Sequence, residues 1–118
     1  MRIVSYADEH FRTSDDVASA VLRYSMLLAH GDTSDVVRVP VVVDGHETWA
    51  ELIIGPASQI TTLEVVGDED FPLDDKAVIQ DLAQRADRVE ITLKSVKAQV
   101  LTEDELAAAV PDVDYLEG

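Results

Sequence analysis

The run "VVRVPVVVDGHETWAELII" (residues 36–54) constrains this chain most. Two β-rich segments flank Asp44-Gly45, and Asp-Gly in a two-residue loop is a strong signal for a type I′ hairpin. The loop sets a register in which paired residue numbers sum to 89. Val43 then faces His46, Val41 faces Thr48, Val39 faces Ala50 and Val37 faces Leu52. That face is mostly apolar and is expected to meet the core. The opposite face pairs Val42 with Glu47, Pro40 with Trp49, Arg38 with Glu51 and Val36 with Ile53. Arg38 and Glu51 are expected to form a cross-strand ion pair of a few tenths to about 1 kcal/mol.

Pro40 adds a condition. Pairs in an antiparallel ladder alternate between hydrogen-bonded and non-bonded. Counting outward from the turn, Pro40/Trp49 is a non-bonded pair, so the missing N–H points away from the hairpin partner. Proline there suits a sheet edge or a bulge. Residues 36–43 are therefore expected to form an edge strand.

The rest of the chain supplies the other layers. "MRIVSYA" reads as a first strand. Thr13 and Asp16 resemble a capping box ahead of a helix from about Ser14 to His30, striped by Val17, Val21, Tyr24 and Leu28, with Gly31 as a left-handed cap. "IIGPASQI" (53–60) reads as the turn before a third strand of the meander, "ITTLEVVG" (60–67). Pro72, Asp74 and Asp75 announce a second helix through about Asp87. "RVEITLKSVKAQVL" (88–101) reads as a strand whose apolar parity slips near Ser95, as at a β-bulge. Thr102 and Glu105 then cap a short helix stopped by Pro111, and residues 111–118 form a frayed acidic tail. The expected architecture is one α+β domain over residues 1–118, ordered β-α-β-β-β-α-β-α. Its largely antiparallel sheet carries helices on one face.

Charge narrows function. The chain has 24 acidic and 9 basic residues, a formal net charge of −15. Such a field repels phosphate, so nucleic acid and anionic membrane are not expected as ligands, whereas a basic protein partner is compatible. The six arginines, three lysines and abundant Asp, Ala and Val suit a GC-rich or salt-tolerant bacterial source, which accounts for part of the acidity. There is no cysteine, which removes disulfides, thiol catalysis and cysteine-bound zinc. The N-terminus meets acid by Asp8, and no run reaches the roughly 20 apolar residues of a bilayer span, so a cytoplasmic protein is expected.

Chemistry-bearing motifs are sparse. No histidine stands four residues from another, "DEDFPLDD" (68–75) lacks the spacing of a calcium loop, and no glycine-rich phosphate loop occurs. No metal and no cofactor are expected. The residue that stands out is Trp49, expected outward beside Pro40, Arg38 and Glu51, a typical setting for an interface anchor. The sequence thus favours a domain that works by association, as a homodimer or with a protein partner. The alternative is a small-molecule site or hydrolase-like enzyme between sheet and helices, drawing on His10, His46, Ser58 and Asp68.

Overall fold

The computed structural model describes residues 1–65 and 72–109, the last twelve of these (98–109) as backbone. The elements are β1 (Arg2–Tyr6), β2 (Glu9–Thr13), α1 (Asp15–His30), β3 (Asp35–Val43), β4 (His46–Ile54), β5 (Ile60–Glu64) and α2 (Lys76–Ala109). The five strands form one antiparallel sheet in the order β4-β3-β2-β1-β5. The fold is α+β, as the alternation and periodicity of the sequence predict.

The β3–β4 hairpin has the expected register at all nine pairs, from Val43↔His46 to Asp35↔Ile54. Asp44 and Gly45 both have positive φ, 52° and 79°, as a type I′ turn requires. Val37, Val39, Val41 and Leu52 are buried on the inner face. There they join Val4 and Phe11 of the first hairpin and Val17, Val21, Tyr24 and Leu28 of α1 in one cluster.

Four expectations about the strands and the second helix need correction. First, "EHFRT" is strand β2, not a lead-in to the helix. Its turn, Ala7-Asp8, carries no glycine or asparagine, yet Ala7 adopts φ 53°, a conformation alanine rarely takes. Second, β3 is not an edge, because β2 lies against it through Arg12↔Val42. Pro40 is tolerated because that register places it opposite Ser14, one residue past the end of β2, so no strand is there to need its N–H. Third, β5 does not continue the meander beside β4 but pairs with β1, from Arg2↔Glu64 to Tyr6↔Ile60. Fourth, residues 88–101 are not a strand. They belong to α2, which runs without a break from Lys76 to Ala109, so the separate helix expected after Thr102 is part of it. The apparent parity slip was a helical period.

The topology forces the sheet to coil. On a flat sheet these registers would set Ile54 and Ile60 ten residues apart along the strands, more than about 30 Å. Only residues 55–59 join them, a link of roughly 20 Å at full stretch. The sheet therefore bends until the far end of β4 returns to β1, as in a partly open barrel. The Tyr6 hydroxyl marks the meeting point: it donates to the Ile53 carbonyl and accepts the Ile53 N–H at 3.2 Å.

α1 starts at Ser14, the N-cap, whose Oγ accepts the Val17 N–H at 3.1 Å. Thr13 does not cap; it is buried on β2 and its hydroxyl donates to the Pro40 carbonyl at 2.8 Å. Gly31 ends the helix with φ −89°, so the left-handed residue is the following Asp32, at φ 52°. α1 lies on the inner face of the sheet, and α2 packs along α1, adding Leu82 and Ala86 to the core.

Candidate functional site

The outward face of the β3–β4 hairpin is the most distinctive surface of the described residues. By register it carries Val36, Arg38, Pro40 and Val42 on β3 beside Ile53, Glu51, Trp49 and Glu47 on β4. Three large apolar side chains on it stay exposed: Ile53 at 62%, Val36 at 51% and Trp49 at 47%. Alternation alone explains this. The valines of the inner face fill the core, and their neighbours one residue along must point outward.

Arg38 does not pair with Glu51 as expected. Its guanidinium carbon lies 4.8 Å from the centroid of the Trp49 ring, a cation–π contact. The stack holds the guanidinium over the indole face, and Glu51 stays exposed. Pro40 lies beneath this surface. It is fully buried and its carbonyl is bound by Thr13, so it shapes the surface and does not offer itself for contact.

β4 is also a free edge of the sheet. In this ladder the backbone groups of Glu47, Trp49, Glu51 and Ile53 point away from β3. Tyr6 occupies those of Ile53. Those of Trp49 and Glu51 meet no hydrogen-bond partner among the described residues. An unpaired edge beside exposed apolar side chains is a surface able to accept another strand.

A polar cluster fixes the start of this hairpin to both helices. Asp35 accepts from the Tyr24 hydroxyl at 2.5 Å, from Arg85 Nη1 at 3.1 Å and from the Val36 N–H at 2.8 Å. Arg85 also donates to the Val36 carbonyl at 3.2 Å and pairs with Asp81 at 3.0 Å. Burial pushes the Tyr24 hydroxyl up to about 12, helped by the hydrogen bond to Asp35 and its negative charge. Burial alone would raise Asp35. The hydrogen bonds from Tyr24 and Val36 and the charge of Arg85 outweigh it and hold the carboxyl below its ordinary value. Partners 11 and 50 residues away in sequence carry no local signal, so sequence reading misses this cluster.

The residues of the alternative site are not brought together. Ser58 lines an open cleft of about 470 Å³ with Tyr6, Ala7, Ser34, Ile53 and Gln59, and neither His10 nor His46 lines it. The Ser58 hydroxyl donates to the Ile53 carbonyl at 3.1 Å and accepts the Gly55 N–H at 3.0 Å, while its own N–H bonds Gly55 O at 3.1 Å. It closes the turn between β4 and β5, and its proton is committed to a carbonyl rather than to a base. His10 contacts Ser5 instead, with Nδ1 2.8 Å from the Ser5 Oγ on the outer face of the first hairpin. His46 is exposed beside the β3–β4 turn. Asp68 lies outside the described residues. Among the described residues, no three His, Asp or Glu side chains converge as metal ligands, and no helix is long and apolar enough to cross a membrane.

These features define an α+β domain with a coiled antiparallel sheet and an apolar strip at its free edge. No protein-family model matches the chain, and neither does any curated protein or solved structure.

Proposed function

We propose that this is a protein-binding domain whose contact surface is the outward face and free edge of the β3–β4 hairpin. The observation that carries the reading is the exposed strip Val36, Ile53 and Trp49, with Arg38 stacked on the indole, beside backbone groups of β4 that no described residue occupies. The partner that fits is an extended segment with alternating basic and apolar residues. Its backbone would add to β4, its apolar side chains would cover Trp49 and Ile53, and its cations would meet Glu47 and Glu51. The net charge of −15 steers such a segment toward the domain.

The single tryptophan makes the test direct. A ten-residue peptide alternating valine and lysine is titrated against the full chain, with Trp49 emission and calorimetry as readouts. A peptide of the same composition in two blocks serves as control. The expected result is saturable binding of the alternating peptide with a blue-shifted emission. Calorimetry with Trp49→Ala and Ile53→Ser should show binding weakened about tenfold or more. Equal binding of both peptides, or binding indifferent to these substitutions, would overturn the reading.

A further inference from the structure

The edge of β4 is open over only part of its length. Glu47, Trp49, Glu51 and Ile53 point their backbone groups outward, and they differ in what already meets them. Those of Trp49 and Glu51 have no hydrogen-bond partner among the described residues. Ile53 is already saturated. Its N–H donates to the Tyr6 hydroxyl at 3.2 Å. Its carbonyl accepts from that same hydroxyl and from the Ser58 Oγ, the latter at 3.1 Å. A carbonyl oxygen has two lone pairs, so neither is left for another strand. At the other end of the edge the segment leading into α2 comes alongside, where the Asp74 N–H donates to Glu47 Oε1 at 3.4 Å.

Tyr6 is firmly held in this position. It is the last residue of β1, paired with Glu9 of β2 on one side and Ile60 of β5 on the other, and it packs against the core cluster. A phenol hydroxyl both donates and accepts, as the C=O and N–H of a single residue demand. Ser58 is fixed by the turn it closes, since its Oγ also accepts the Gly55 N–H at 3.0 Å. An incoming strand that reached Ile53 would have to release both hydroxyls. It would exchange hydrogen bonds for others of the same kind, and would also have to order further residues of its own. The exchange yields no net gain, so the ladder stops at Glu51. Bulk does not cause the stop. The open cleft of about 470 Å³ bordered by Tyr6, Ser34, Ser58 and Gln59 lies at this end of the edge, and a partner chain can leave through it. The Ile53 side chain stays exposed on the outer face, so it offers apolar contact without backbone pairing.

We propose that Tyr6, backed by Ser58, ends the added strand. A partner pairs its backbone with Trp49 and Glu51 and goes no further along β4, so the site takes a short extended segment and gains no ladder from a longer one. This proposal rests on the hairpin reading and adds to it the length of partner that the edge can use.

The test is amide hydrogen exchange followed by NMR in the full chain, free and saturated with the ten-residue valine–lysine peptide. In the free chain the Ile53 amide is expected to exchange about tenfold or more slower than those of Trp49 and Glu51. The peptide should slow Trp49 and Glu51 about tenfold or more and leave Ile53 within about twofold. Tyr6→Phe keeps the ring and removes the hydroxyl, so Ile53 should exchange about tenfold faster in that free variant. Tyr6→Ser removes the ring as well, and there the peptide should also protect Ile53. Circular dichroism checks the fold of both variants, and where Tyr6→Ser does not fold the other two arms decide. Slowing of Ile53 by the peptide in the wild type as strong as that of Trp49 and Glu51 would overturn the stop and leave the hairpin reading standing. An Ile53 amide indifferent to Tyr6→Phe would do the same. Protection of neither Trp49 nor Glu51 would overturn both.

Discussion

The two halves of α2 share one apolar period, a seam through Leu82, Ala86, Val89, Leu93 and Val96 at intervals of three and four, and differ in what the fold places against them. Up to Ala86 the seam meets α1 and disappears into the core, whereas at Val96 the same period stands in solvent. Helical periodicity therefore says which residues share a stripe and nothing about whether a neighbour exists to cover it. The neighbour is decided by the length of α1, which ends at His30 where Gly31 and Asp32 turn the chain toward β3. The β3–β4 hairpin repeats the lesson on a sheet. Its inner valines are buried in the core with α1, and Val36, Trp49 and Ile53 on its outer face keep the same β-character without a cover.

Substitutions along the seam should separate the halves. Leu82→Ala removes a fully buried side chain where α2 packs on α1, and is expected to cost about 2–5 kcal/mol in urea denaturation. A loss below about 1 kcal/mol would mean that the covered half is no better packed than the free one.

The clamp at Asp35 should give the next largest effect, since it joins the covered half of α2 to the hairpin. Asp35→Ala leaves Arg85 and Tyr24 without their shared acceptor, at an expected cost of about 1–3 kcal/mol. The pH dependence follows in sign from the two shifts. Asp35 is held below its ordinary value, so its contribution is present above the usual carboxylate range and is lost as pH falls through its lowered value. Tyr24 is raised from 10.0 to about 12, so its contribution is present below about 10 and is lost as pH rises toward 12. Tyr24→Phe should flatten the alkaline limb of a stability–pH curve, and an unchanged limb would count against the clamp.

The smallest effect belongs to the free half. Val96→Ala should change stability by no more than about 0.5 kcal/mol in the same denaturation. A larger loss would show that the seam beyond Leu93 is already covered within one chain.

Much of the sheet was legible in advance because its signals are local. Asp44-Gly45 and the valine ladder set the register of β3–β4 and the outward position of Trp49. Strand β2 was not legible, because Ala7 takes a positive φ that its residue type does not announce. The sheet edge is not legible in the sequence because Pro40 admits two solutions, an outer strand or a neighbour that stops one residue short. Residues 88–101 mimic a strand because a 3.5-residue period sampled over a short window resembles a slipped alternation. The ion pair expected for Arg38 gave way to the Trp49 ring. Ser58, the remaining polar group of the "IIGPASQI" turn, closes that turn itself.

By itself the sequence determined which residues share a face: the inner valines of the hairpin, the stripe of α1, the first part of α2 up to Ala86 and the outward Trp49. These depend on the fixed periods of helix and strand and on one turn type, all properties of a few consecutive residues. Only the tertiary structure decided which of those faces are covered. That depends on the length of α1, on β2 lying beside β3, and on the coiling that returns Ile53 to Tyr6, each a relation between residues far apart in the chain. The hairpin surface proposed for binding is a face whose period the chain encodes and whose cover it leaves open.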